Sequence, residues 1–527
     1  MKINITVNNQ KYKVDLGENL LNALLSLGYD IPHLCYLENY SPNYACRLCM
    51  VEIDGFNNPI QACTVDVNTP LQVYTHTPKL INIRKNILEL ILSQHSLECN
   101  TCPKAINCSL LNYAYQYGVN EIIWRHVITD SKEKDISSPV IAKNINKCIS
   151  CGICVKICNE MMHCNVFNHA FIGTKKTIIS SLDKPINLSN CYYCGQCSYH
   201  CPTSALYEKS YIDNVEIDPQ NTTLIFDSAA VYNLMSQINS NFTKNPILSF
   251  NYLCQFLGFK KLINLGELID AKLYLDFQLL KDRKHPIISN LCPVSIEYIK
   301  QKYPELIEFI SPLASPMQAA IRLTNKSNPI LILTNCSAYK NDIFQNYSNT
   351  EHKIYVANVR DFLKYLLRNG YTLEQLKNLI PNIKAKKNYS YSIGGLYADI
   401  SMYNLLKLIL DETNIQIDKP SKINSFLTGK NENKKYNFRL KNKNYSLISI
   451  NTISEIANFF DHEFLKTNLA LIGCWSCANG CINGGGKTFE IFKTTNKSLS
   501  SRNPLLTQIY NINEDLIIQE KLWKQEN

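Results

Sequence analysis

Two stretches of the sequence carry one spacing twice: Cys148, Cys151, Cys154 and Cys158, then Cys191, Cys194, Cys197 and Cys201, the last followed by Pro202. A C-x2-C-x2-C-x3-C run offers three thiolates from a short loop to three corners of a [4Fe–4S] cube, and its fourth cysteine ligates the other cube of a pair. The spacing therefore predicts one cluster on Cys148, Cys151, Cys154 and Cys201, and a twin on Cys191, Cys194, Cys197 and Cys158. Gly152 and Gly195 each follow a second ligand, where the backbone has to curl closely around the metal. Structural zinc would instead show separated C-x2-C pairs.

Two further sets lie upstream. Cys35, Cys46, Cys49 and Cys63 place widely separated ligands around one C-x2-C pair, which suits a [2Fe–2S] cluster wrapped by a long loop. His95, Cys99, Cys102 and Cys108 give H-x3-C-x2-C-x5-C, the pattern for a cube with one imidazole ligand, a neutral group that leaves the cluster less anionic. The elements around them are short. Lys2 to Val7 and Tyr12 to Val14 alternate as a hairpin. Leu20, Leu21, Leu24 and Leu25 form a helical stripe ended by Gly28, and residues 79 to about 125 read as helices.

Composition narrows the class. At 527 residues, 45% apolar and 19% charged, the chain has the balance of a large water-soluble protein of several domains. Its 22 cysteines cluster at metal spacings rather than as a disulfide framework, which points to a reducing compartment, cytoplasm or organelle matrix. No secretory signal and no membrane-length apolar run is expected. The net charge of +10 is mostly lysine spread along the chain. Without a basic face carrying stacking aromatics, nucleic-acid binding is not expected. Asp418 to Ser446, rich in Lys and Asn, reads as a solvated surface insertion.

From about residue 215 to 500 short apolar runs (223–226, 330–333, 354–356) alternate with helical patterns near 250–260, 295–309 and 359–381, an α/β arrangement. Four cysteines are dispersed through it: Cys292, Cys336, Cys477 and Cys481. Gly486-Lys487-Thr488 is not a phosphate loop, because Cys481 stands where that motif needs its first glycine. No G-x-G-x-x-G follows a strand either. Cys164 and Cys254 read as core thiols.

The order of these modules resembles an [FeFe]-hydrogenase of the large form with accessory clusters, and the N-terminal part also resembles the G subunit of NADH:quinone oxidoreductase. Asn290-Leu291-Cys292-Pro293 resembles the hydrogenase motif T-S-C-C-P-x-W, Asn335-Cys336-Ser337-Ala338-Tyr339-Lys340 resembles M-P-C-T-x-K-K, and Cys477 to Gly486 resembles A-C-x-x-G-C-x-x-G-G-G. Ser228 to Tyr232 stands at the family's A-P-x-V-R. The resemblance implies a multidomain α+β fold. Its parts are a β-grasp [2Fe–2S] ferredoxin-like domain (1–78), a helical His/Cys3 domain (79–125), a bacterial 2×[4Fe–4S] ferredoxin-like domain (138–212), a degenerate α/β hydrogenase-like catalytic domain (215–500) and a tail (501–527). It implies a fourth [4Fe–4S] cube on Cys292, Cys336, Cys477 and Cys481, with the Cys481 thiolate bridging to a two-iron subsite that carries CO and CN⁻.

Several pocket residues depart from the family. Leu291 stands at the proton-shuttling cysteine, Ser295 at the motif's tryptophan, Thr334 at a methionine and Tyr339 at the lysine that donates to cyanide. The family's E-x-M-x-C reads Gly473-Cys474-Trp475-Ser476-Cys477. General acid–base transfer needs a group within reach, and leucine is none. The expectation is an iron–sulfur electron-transfer oxidoreductase whose H₂ chemistry is impaired or altered. The alternative is a G-type relay without H₂ activity. Implied partners are a ferredoxin or flavin- and NADH-binding subunits, and radical-SAM maturation proteins if the two-iron group is built.

Overall fold

The computed structural model describes residues 1–37, 40–105, 108–120, 133–173, 176–238, 246–325, 327–348, 350, 352–379, 401–402, 405–406, 408–409, 434–440, 443–467, 469–477, 481, 484–487 and 519–524. The 418–433 stretch and most of the tail read from sequence therefore lie outside the described residues. Contacts divide the chain into two units: residues 1–160, 165–190 and 196–207, and residues 161–164, 191–195 and 208–527.

The first unit opens on the expected hairpin, β1 (Lys2–Val7) against β2 (Gln10–Asp15). Asn8 and Asn9 turn it at φ of 47° and 68°, the left-handed geometry that a two-residue hairpin loop requires. The helix Leu20–Ser26 follows. Its Asn19 cap accepts from the Leu21 N–H, and its Leu20, Leu21, Ala23 and Leu24 are buried. With β3 (Met50–Ile53), β4 (Ile60–Gln61) and β5 (Leu71–Tyr74) the strands form one mixed sheet in the order β2-β1-β5-β3-β4. The helix Pro78–Ser93 starts on the Thr77 cap, with Pro78 where a missing N–H costs nothing. Its Arg84, fully buried, donates to the Met50 carbonyl (2.7 Å) and the Tyr117 hydroxyl (3.1 Å), pinning the helix to β3 and to the end of the helix Ser109–Gln116. Two small two-stranded sheets complete the unit, β6 (Ile141–Lys143) with β9 (Leu206–Glu208) and β7 (Phe167–Ala170) with β8 (Thr177–Ser180).

In the second unit β10 (Thr223–Phe226), β11 (Lys261–Asn264), β13 (Ile330–Leu333) and β14 (Ile354–Ala357) make a parallel sheet, β11-β10-β13-β14. β10 and β13 are buried at every position, which is why they read as unbroken apolar runs. A second sheet orders β12 (Ile287–Ser289), β17 (Leu469–Trp475), β16 (Lys443–Asn451) and β15 (Lys434–Leu440), with β15 alone antiparallel. This corrects the solvated-insertion reading for 434–446. Tyr436, Phe438 and Leu440 alternate with Lys, Asn and Arg as a half-buried edge strand does, and the surrounding lysines masked that period in composition. The helical pattern at 295–309 resolves into a helix, Pro293–Lys302, and a 3₁₀ turn, Pro304–Phe309. That at 359–381 breaks at Gly370 into Val359–Arg368 and Leu373–Leu379.

Candidate metal centres

In the first unit Cys35, Cys46, Cys49 and Cys63 are all buried, at 2–8% exposure. The Cys46 N–H donates to Cys35 Sγ and the Leu34 N–H to Cys46 Sγ, both at 3.3 Å. A hydrogen bond with the Cys46 thiol pulls Cys35 down to about 6, while a hydrogen bond to Cys49 pushes Cys63 up. Four thiols this close and this dry cannot all ionise alone, so a metal group that takes up their charge fits the donor set.

Cys148, Cys151, Cys154 and Cys201 also come together, across the swap that the spacing predicts. Burial raises Cys148, Cys151 and Cys154, and Cys201 adds to each. An apolar cavity lies between them, lined by Cys148, Cys151, Gly152, Cys154, Cys201 and Pro202 among others. Backbone amides point at the sulfurs: Ser150 N–H to Cys148 (3.3 Å), Val166 N–H to Cys158 (3.3 Å) and Leu206 N–H to Cys201 (3.5 Å). Such bonds favour the thiolate and set a cluster's potential.

Three features suit an imidazole ligand at the second expected set. Burial lowers His95 to about 4, so the ring is neutral, as a ligand must be. Its Nδ1 is buried without a hydrogen-bond partner. Cys108 caps the helix Ser109–Gln116, accepting from the Leu111 N–H at 3.5 Å, and Cys102 adds to the burial that raises it. Cys99 lies in the turn Cys99–Thr101 between them. Residues 106–107 are outside the described set. Lys104, which sequence reasoning did not single out, donates to the carbonyls of Tyr199 (3.2 Å) and Cys201 (2.6 Å) and so ties this loop to the first cube site.

The remaining twin set is divided between the units, with Cys158 and Cys197 in the first and Cys191 and Cys194 in the second. In the second unit the Tyr193 N–H donates to Cys191 Sγ at 3.4 Å, repeating Ser150 and Cys148. Ser150 and Tyr193 take matching left-handed φ values of 53° and 55°. Tyr192 packs edge-on to Tyr298, on the helix that begins after Cys292.

Cys292, Cys336 and Cys477 each follow the C-terminal end of a parallel strand: β12, β13 and β17. That edge is where α/β sheets present ligand-binding loops. Burial raises Cys336 and Cys481, and Cys292 and Cys477 add to each. Ser476 Oγ bridges Cys292 and Cys477, at 3.5 and 3.8 Å. The bracket that joins their loops was not visible in sequence. Asp227, after β10, accepts from Thr334 Oγ1 (2.5 Å) and the Asn335 N–H (3.0 Å). The Asn335 carbonyl in turn accepts the Gly486 N–H (2.8 Å), and its Nδ2 donates to the Cys481 carbonyl (3.4 Å). Asp227 follows an apolar run in the sequence, and that position was its one signal. Cys254 is a core thiol, fully buried in an apolar cluster. Cys474 is buried near Cys292, and Cys164 lies near Tyr193. Among the described residues no three His, Cys, Asp or Glu side chains converge tightly enough for a single ion. Ligands of a cluster bind separate irons and stand further apart.

Folds and sites together define a multidomain iron–sulfur protein with a ferredoxin-like N-terminal domain and a hydrogenase-like C-terminal one. Residues 1–78 match the family described as 2Fe-2S iron-sulfur cluster binding domain. Residues 84–122 match the NADH-ubiquinone oxidoreductase-G iron-sulfur binding region, and residues 232–485 the iron only hydrogenase large subunit, C-terminal domain. The chain is 28% identical over 339 residues to the NADP-reducing hydrogenase subunit HndD of Solidesulfovibrio fructosivorans, covering 60% of this chain and 57% of that one. It is 35% identical over 209 residues to the NADPH-Fe(3+) oxidoreductase subunit alpha of Geobacter sulfurreducens (40% and 24%). With the G 2 subunit of NADH-quinone oxidoreductase from Rhizobium meliloti it shares 33% over 210 residues (40% and 24%). It thus spans less than two thirds of each of these relatives. A solved [FeFe]-hydrogenase of Chlamydomonas reinhardtii aligns at TM-score 0.40 and 14% identity, covering 59% of this chain and 91% of that one. The chain is an iron–sulfur protein related both to hydrogenases and to G-type relay proteins.

Proposed function

We propose that the protein is an electron relay with four accessory cluster sites leading to a fifth, terminal cube site. The sites are Cys35/Cys46/Cys49/Cys63 for a [2Fe–2S] cluster in a β-grasp domain, and His95/Cys99/Cys102/Cys108 for the imidazole-ligated cube. Cys148/Cys151/Cys154/Cys201 and Cys158/Cys191/Cys194/Cys197 would hold the ferredoxin-like pair, and Cys292/Cys336/Cys477/Cys481 the terminal cube. Held there, the clusters supply one-electron transfer at separate potentials. The protein's own groups shield the thiolates from water, aim N–H donors at them and, within each unit, hold neighbouring loops together.

One contact carries the reading. Within the second unit the Cys191–Gly195 loop lies directly on the terminal site's loops: a Cβ on Gly195 would run into the Ser337 side chain, and one on Gly485 into the Cys194 carbonyl. Ser337 follows Cys336, so the last accessory site and the terminal one share a protein wall. The pyridine-nucleotide names of the relatives favour flavin- and NADH- or NADPH-binding subunits as donors, with a ferredoxin as the soluble alternative. Among the described residues no helix is long and apolar enough to cross a membrane. In Cys194→Ala, reduction of the terminal cube by an external donor should slow at least tenfold in freeze-quench EPR, with that cube still present. An unchanged rate refutes the route.

A further inference from the structure

We infer that the C-terminal domain ends in a cube alone, because Trp475, seated on Gly473, plugs the apolar cluster against which Cys481 packs and leaves no place there suited to a two-iron group. The inference rests on reading Cys292, Cys336, Cys477 and Cys481 as cube ligands. Residues 473 and 475 are both on β17 and share one face of the strand. A Cβ at 473 would stand 2.6 Å from two carbons of the Trp475 ring and 2.7 Å from Met402 Cε. The ring therefore lies over a bare Cα, and Trp475 and Met402 are 2% and 0% exposed. A glutamate at 473 cannot coexist with this ring. The two departures from E-x-M-x-C, Gly473 for the acid and Trp475 for the methionine, are one coupled replacement.

The rest of the wall agrees. Leu291, Tyr339, Met402 and Trp475 belong to one apolar cluster, and Cys336 and Cys481 pack against it. Leu291 precedes Cys292, Tyr339 comes one helical turn after Cys336, and Trp475 is two residues before Cys477, so each is positioned by a cube ligand. A di-iron group with cyanide ligands would bury anionic atoms against leucine and thioether, with only the neutral Tyr339 hydroxyl and indole N–H as donors among these four and no charged one, which is poor compensation for buried charge. The residues do not fit that group.

The test is anaerobic co-expression of the full chain with the radical-SAM maturation proteins, followed by infrared spectroscopy and EPR. The expected result is no CO or CN⁻ stretching bands and a reducible terminal cube. Bands on the unaltered chain overturn the plug while leaving the relay standing. A missing terminal-cube signal overturns the ligand reading and the inference with it. The coupling has its own readout, which needs no maturation. Gly473→Ala should lower the melting temperature of the reconstituted protein, and should lower it no further in a Trp475→Ala background. Equal losses in both backgrounds overturn the coupled pair.

Discussion

Gly152 and Gly195 hold equivalent places in the repeated run, each after the second cysteine, with φ of 77° and 74°. Their surroundings differ. A Cβ on Gly152 would meet His169 Nε2 at 2.8 Å and Asn43 Nδ2 at 3.4 Å, the ends of side chains that can swing away. One on Gly195 would meet the buried Ser337 side chain and come within 3.3 Å of Gly485 Cα, where only the backbone can yield. Alanine at either position carries the left-handed penalty of about 1–2 kcal/mol. Gly152→Ala should stop near that figure, and Gly195→Ala should exceed it by about 1–3 kcal/mol for the overpacking. Urea denaturation of the reconstituted protein checks this, and equal losses would show that the loop contact does not hold.

At the scale of elements, a buried cluster fastens Glu208 and Lys209 to the helices Ala338–Tyr347 and Val359–Arg368. Lys340 Nζ lies 2.8 Å from Glu208 and 3.3 Å from Asp361, and donates to the Lys209 carbonyl at 2.6 Å. Arg360 lies 2.9 Å from Glu208 and donates to the carbonyls of Gly485 and Lys487. Burial pushes Glu208 up, but Lys340 and Arg360 outweigh it and hold the carboxyl below its usual range. Removing one partner leaves a buried charge uncompensated, so Lys340→Met should cost about 3–5 kcal/mol, and Lys340→Met with Glu208→Leu should cost less than the sum of the two. Denaturation of the four proteins closes the cycle, and strict additivity would sink it. None of this network was legible in the sequence, because its members are scattered along the chain and no spacing rule links them. The proposed cysteine sites could be read for the opposite reason: a cluster's corners dictate local spacing, and the repeated run from Cys148 to Cys201 has that spacing in the chain. Gly473 and Trp475 lie between these cases. Each showed as a departure from a motif, but that one makes room for the other appears only once the indole is seen on the bare Cα.

At the scale of the whole molecule, the proposed cluster sites share one physical trait. Thiols gathered in dry surroundings stay protonated when free: burial raises Cys151, Cys154, Cys336 and Cys481 well above the ordinary value. At those four positions apo protein therefore keeps neutral, crowded sulfurs, which a cluster bound there would convert to thiolates. Metal binding releases those protons and supplies the charge compensation, so binding free energy becomes folding free energy. Two outcomes follow for protein reconstituted without oxygen. One [2Fe–2S] cluster and four cubes amount to about 18 irons per chain, against about 20 with a two-iron group. Zinc should be well below one per chain. Stripping the iron with a chelator should lower the melting temperature and broaden the transition, since the loops around each site lose their anchor while the parallel sheets keep theirs. Calorimetry before and after stripping, alongside metal analysis, reads both. A chain that binds zinc at these cysteines, or melts identically with and without iron, would not be a relay of this kind.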